Sequence, residues 1–480
     1  MTTTRTTAPR SPVWLEPRLA RRILAQMGEN GKPPDVGISH VNVGNESYLH
    51  ILDDVYVGDL LCDAEGSSFK LVQGTYGAGK THFLFCVRDL AWRRGLLAAF
   101  VTISPRECPM NKPLGVYRAV AQQLEQSRGG DGADATRGVD DILRRLAEEK
   151  RADEGREVAL RWVDATLQRA PLARHSFRDA AARFMRAVID GNEQSASRLG
   201  AWLRGDAVPV GVSKAEGVYE VPSNENGFAL LRSLVQAMAR LGFQGTVLLL
   251  DEAERRMSVD GKRTRAQSET IDHLRELVDL CGRAELPRAL VLYAVTPAFV
   301  QNVLPEYPAL QQRLGAPVQY LSAHNPKAPL IDLEALDLEP ARLLGAMGMR
   351  LARVASCAYG WTPDQRLLAR NLGDLVRVIT EEQLEVSHRR LFVKIWIRLL
   401  DEQRLGSERA LGADEIQAVV RDEQVHLLQE DLSSVPTFFG QAVESAAPPP
   451  RRRSIDVDPT VLAPGAAAPS PRKRRPDSSL

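Results

Sequence analysis

"LVQGTYGAGKTHFLF", Leu71–Phe85, decides how this chain is read. An apolar run enters a glycine-rich turn, closes on Gly-Lys-Thr and continues into a second apolar pattern with helical spacing. The octet Gly74-Thr75-Tyr76-Gly77-Ala78-Gly79-Lys80-Thr81 satisfies G-x-x-x-x-G-K-[ST]. Between a strand and a helix, that pattern is a phosphate-binding loop. Its glycines permit positive φ and the close backbone approach that wraps amides around an anion. A helix opening near Lys80 adds free N–H groups and its dipole. Lys80 is then expected to reach the β- and γ-phosphates, and the Thr81 hydroxyl to ligate Mg²⁺. The expected nucleotide contacts run from Gly74 through Lys80 and Thr81 to His82, including Thr75, Tyr76, Gly77, Ala78 and Gly79. A chance glycine-rich turn is the alternative, and the strand-to-helix placement argues against it.

Outward from the loop, "TVLLLDE" sets Asp251 and Glu252 at the C-terminal end of an apolar run, where open α/β sheets bind ligands. Asp251 is expected to hold the magnesium through water, and Glu252 to orient or deprotonate the attacking water. A solvated acidic pair capping a strand is the plainer alternative. Glutamate directly after aspartate is the pattern of P-loop ATPases with a catalytic glutamate. With no N-K-x-D guanine motif present, it points to ATP over GTP. Thr296, ending "ALVLYAVTP", occupies the place of a γ-phosphate sensor or simply caps its strand. Arg313 in "PALQQRLG" is a candidate for stabilising transition-state charge. Arg389 and Arg390 open the amphipathic stretch "SHRRLFVKIWIRLLDE", where a lid would reach the nucleotide, and Arg390 is the candidate taken from them.

Composition sets bounds. Of 480 residues, 62 are basic and 61 acidic, so any nucleic-acid affinity must come from a local patch. The five cysteines (Cys62, Cys86, Cys108, Cys281, Cys357) are scattered and none has zinc-ligand spacing, which fits a reducing cytoplasm. No apolar stretch predicts a secretory leader or a membrane span. The tail carries two basic clusters, Arg451–Arg453 and Arg472-Lys473-Arg474-Arg475, with no aromatic between them to stack bases. They either neutralise phosphates non-specifically or keep a tail solvated.

Alternation of buried strands and helices predicts an α/β protein with a parallel sheet. Strands are expected at Ser68–Gln73, 96–103, "TVLLLDE", 289–297 and "PVQYLSA", residues 317–323. Residues 1–12 and the tail 433–480 are expected to be disordered. The ATPase core is placed at 13–328, with a helical insert at about 128–205 behind the flexible spacer "RGGDGADATRG". An all-α lid domain is placed at 329–432.

Several segments together resemble a known family: "HVNVGNESYL", "FKLVQGTYGAGKTHFLFCVRDLA", "KPLGVYRAVAQQL", "AWLRGD", "LLLDEAERR" and "VTPAFVQNVLPEYPALQQRLG". They follow one another as in bacterial P-loop ATP-binding proteins that include the ATP-binding protein of BREX-type phage-defence islands, over roughly residues 17 to 405. The resemblance implies an ATPase core similar to the AAA+ and origin-recognition-like branch with a helical lid. It also implies partners from a defence operon, commonly a DNA helicase. DNA binding and self-association stay open. Three functions are weighed: a Mg²⁺-dependent ATPase acting on DNA or a partner, a non-hydrolysing ATP switch, and a metabolic kinase. The large insert and lid disfavour the kinase.

Overall fold

The computed structural model describes residues 15–104, 108–128, 132, 134–251, 265–314, 319–335, 338–381, 388–406 and 408–434. Glu252, the stretch 1–12 and the tail from 435 onward lie outside them.

Helix α1 (Pro17–Asn30) leads to α2 (Glu46–Ile51), which runs on through π-helical turns, Leu52–Asp63, into strand β1 (Ser67–Gln73). The phosphate-loop segment follows, then α3 (Lys80–Arg93), β2 (Leu97–Thr102) and α4 (Pro113–Gln123). Two very short strands, β3 (Leu124–Gln126) and β4 (Thr136–Arg137), pair antiparallel. Strand β4 occupies part of the predicted flexible spacer, which is corrected there. Glu125 is buried among them and meets Arg137 and Arg88, which ties this edge to α3.

Helices α5 (Val139–Glu154), α6 (Arg156–Val163), α7 (His175–Asp190), α8 (Glu193–Leu203) and the short α9 (Val210–Ala215) come next. Then α10 (Gly227–Arg240) leads into β5 (Thr246–Asp251), and α11 (Arg265–Gly282) into β6 (Ala289–Val295). After α12 (Pro308–Arg313) the sheet gains β7 (Leu330–Asp332). The remainder is α13 (Pro340–Tyr359), α14 (Gln365–Glu381), α15 (His388–Leu405) and α16 (Ala413–Ser434).

The sheet order is β4-β3-β2-β5-β6-β1-β7, and β2, β5, β6, β1 and β7 are mutually parallel. Both β5 and β6 are buried at every position, as strands covered by helices on two faces must be. The last parallel strand is not the predicted 317–323. Tyr320 makes only an isolated bridge to Leu330 and stays 48% exposed, whereas Leu330 and Ile331 are both buried against β1. A strand covered on both faces buries consecutive side chains in opposite cores, as Leu330 and Ile331 do and the exposed Tyr320 does not. The segment after Pro329 therefore begins in the sheet, not in helix.

Side chains alternate between two cores along each strand. Leu248 and Leu250 of β5 face the core shared with α4, α5, α7, α10 and α11, and Val247 and Leu249 face the one shared with α3. The helices α5, α7 and α8 extend the first core through Phe177, Phe184 and Trp202. A third core joins α1 to α13, α14, α15 and α16, with Phe85 and Cys86 of α3 at its border.

Candidate functional site

Parallel pairing brings the C-terminal ends of β1, β5 and β6 to one edge, with Gln73 opposite Val295 in register. There the chain leaves β1 through Gly74, whose N–H donates to the Val295 carbonyl at 3.2 Å. The turn needs glycine at specific points. Gly77 and Gly79 hold φ of 78° and 94°, where a side chain is strained. A Cβ on Gly74 would lie 3.0 Å from the Ala78 Cβ. The turn closes with the Ala78 N–H on the Thr75 carbonyl at 3.1 Å, and Gly79 delivers the chain into α3. The Tyr76 side chain stands 55% exposed at its outer rim.

Lys80 folds back over this turn. Its Nζ donates to the Gly74 carbonyl at 2.7 Å and to the Thr75 carbonyl at 3.0 Å. One position on, the Thr81 hydroxyl donates to Asp251 Oδ2 at 2.6 Å. Asp251 is buried at the end of β5, and its own carbonyl accepts from the Ile103 N–H. The two residues are 170 positions apart in sequence, so the sheet alone joins them. Strand β6 lies between β1 and β5, and Thr296, half-buried, follows its last residue beside the loop.

The donors suit a magnesium ion. A hydroxyl and a carboxylate are hard oxygen ligands, and Mg²⁺ keeps most of its positions for water and phosphate oxygens. Among the described residues no cluster of three His, Cys, Asp or Glu could cage a metal by itself. Thr81 and Asp251 are thus the residues that would hold one.

His82 is placed behind the loop. Its Nε2 lies 3.3 Å from Asn42 Oδ1, which also accepts from the Asn45 amide at 3.0 Å and the Cys86 thiol at 3.3 Å. Burial first, then the nearby Arg389 charge, pushes the His82 pKa down to about 4, so the ring is neutral near pH 7.

The other predicted residues separate. Arg313 is engaged by Asp279 of α11 and by the Ala309 carbonyl at 2.8 Å, and no hydrogen bond or ion pair brings it to the loop among the described residues. Arg390 turns toward the end of α1, its Nη2 donating to the Asn30 carbonyl at 3.3 Å. Arg389 reaches the loop, donating to the Ala78 carbonyl and, at 3.2 Å, to the Leu333 carbonyl. Two further residues escaped sequence reading. Asn42 sits within the quoted "HVNVGNESYL", and Glu334, just past β7, accepts the Thr75 N–H at 2.8 Å.

A strand, glycine loop and helix at the C-terminal edge of a mostly parallel sheet define an α/β protein with a P-loop-like core. Residues 15–409 match the family described as BREX system ATP-binding protein BrxC/D, and the chain belongs to that family. Its members are ATP-binding proteins of BREX phage defence. Neither the curated proteins nor the solved structures compared with the chain give a match. No described helix is long and apolar enough to cross a membrane.

Proposed function

We propose that the protein binds Mg²⁺-ATP at Gly74–Thr81 and hydrolyses it, coupling turnover to movement of the C-terminal helices. The observation that carries this reading is the Thr81–Asp251 hydrogen bond. It joins a hydroxyl at the helix N-terminus to a buried carboxylate on a neighbouring strand end, the pair a nucleotide-bound magnesium needs. The ion would neutralise charge on the β- and γ-phosphate oxygens. The loop amides and the α3 N-terminus would hold the phosphates, and the Lys80 ammonium, set against the Gly74 and Thr75 carbonyls, would donate to them as well. Thr296 would contact the γ-phosphate, and Glu252, which follows Asp251 in sequence, would take a proton from the attacking water. The order β2-β5-β6-β1-β7 supports an AAA+ or origin-recognition-like core, because β6, which ends just before Thr296, lies between the strands that lead to the loop and to Asp251. Helices α13–α16 then serve as the lid, with Arg389 as its contact. Helices α5–α8 form the inserted subdomain. In a BREX setting the work is done in the cytoplasm, on DNA or on defence-operon partners such as a helicase, by a monomer or an assembly of copies.

Purified protein is expected to release phosphate from ATP only with Mg²⁺. Glu252→Gln is expected to bind ATP and keep it. Phosphate release that is absent from both, with DNA and partner proteins supplied, would leave the second reading: an ATP-operated switch that recruits a partner without turnover. Lys80→Ala is expected to lose nucleotide, and unchanged affinity there would remove the loop assignment altogether.

A further inference from the structure

The peptide unit between Gly74 and Thr75 is held at both ends by opposite charges. Its N–H, on Thr75, donates to Glu334 Oε1 at 2.8 Å, and its carbonyl, on Gly74, accepts from Lys80 Nζ at 2.7 Å. A carboxylate on the N–H polarises the amide and makes its oxygen a better acceptor for the ammonium. The sheet fixes this arrangement. Asp332 of β7 pairs with Gln73 of β1, and the Leu333 N–H donates to the Gln73 carbonyl at 2.9 Å. The Asp332 carboxylate accepts the Glu334 N–H at 3.0 Å, which turns residue 334 toward the loop. Arg389 holds the neighbouring carbonyls of Ala78 and Leu333.

We propose that Glu334 places a competing negative charge on the phosphate loop, so that a nucleoside triphosphate must displace Glu334 to bind. This rests on the reading of Gly74–Thr81 as the phosphate site. A triphosphate entering beside the carboxylate meets like charge, and repulsion of that kind weakens as salt rises. Glu334 therefore sets a threshold for nucleotide occupancy through the charge it holds on the loop.

The test compares wild type, Glu334→Gln and Lys80→Ala by titration with a fluorescent ATP analogue and Mg²⁺, at low and high salt. Glutamine keeps an acceptor for the Thr75 N–H and removes only the charge. Glu334→Gln is expected to bind about fivefold more tightly at low salt, the scale of one surface charge interaction, and the gain to shrink at high salt. Equal or weaker binding by Glu334→Gln, beside a wild type whose binding needs Lys80, overturns the proposal and leaves the phosphate site standing. A gain that is indifferent to salt also overturns it, since it would come from loop shape rather than charge. Wild-type binding that does not need Lys80 overturns both.

Discussion

Thr81→Val keeps the shape of the side chain and removes its hydroxyl. In the wild type that hydroxyl donates to Asp251 Oδ2 at 2.6 Å, and Asp251 is 2% exposed. Hydrogen bonds to charged groups contribute about 1.5–3 kcal/mol, and a buried acceptor that loses its donor bears its desolvation in full. The variant is expected to lose about 2 kcal/mol of stability without nucleotide, read as a lower urea midpoint at unchanged slope. Asp251→Asn tests whether the loss belongs to this pair. The double variant should fall short of the sum of the singles by about 1 kcal/mol, because both remove one bond. A second assay separates stability from function. Wild type should bind ATP more tightly with Mg²⁺ than with a chelator, and in Thr81→Val the two affinities should converge. A valine variant with wild-type stability and the full magnesium gain would refute both the contact and the metal role derived from it.

Protonation of His82 should limit acid stability. Its ring titrates near 4 in the fold against 6.5 unfolded, so between these values the unfolded chain binds the extra proton. Stability is then complete above pH 6.5 and drains as pH falls toward 4, by about 1.4 kcal/mol per pH unit at the steepest. His82→Gln should flatten that slope in unfolding curves taken from pH 7 to 4.5. Gly227→Ala should cost about 1–3 kcal/mol, because its Cβ would stand 2.3 Å from the Pro113 carbonyl carbon and 2.5 Å from the Leu114 nitrogen, forcing α10 off α4. A denaturation midpoint equal to wild type would show that this helix pair yields freely. Arg389→Lys should weaken ATP binding more than Arg390→Lys in the same titration, and the opposite ranking would return the lid contact to Arg390.

The sheet's centre was legible because a fully buried strand needs an unbroken apolar run, which β5 and β6 have, and because β1, although interrupted by Lys70, runs straight into the glycine loop. The loop and Asp251 were legible because their chemistry is tied to residue type and to a strand end. Brevity hid the rest: β3, β4 and β7 have three residues or fewer, too few for a period to show. Arg389 and Arg390 are adjacent on a helix, so about 100° of rotation separates their directions. Only packing against Ala78 on one side and Asn30 on the other decides which faces the loop. Glu334 was invisible for a related reason. Its role comes from the pairing of β7 with β1, which no local pattern encodes.

Helix α1 carries a consequence for how the molecule is assembled. Arg21 Nε donates to the Ala358 carbonyl at 2.8 Å across 337 residues, and Cys357 donates to the Leu15 carbonyl. The first helix described thus waits through the synthesis of the whole sheet before its partners exist. Until α13 and α15 emerge, the apolar stripe Ala20, Ile23, Leu24 and Met27 lacks the two helices that share its core from the far end of the chain. Arg389 belongs to the same late-arriving helices. The nucleotide loop can be shaped once β5, β6 and β7 have joined β1, but its clamp and the first helix find their places together, later still in the chain's synthesis.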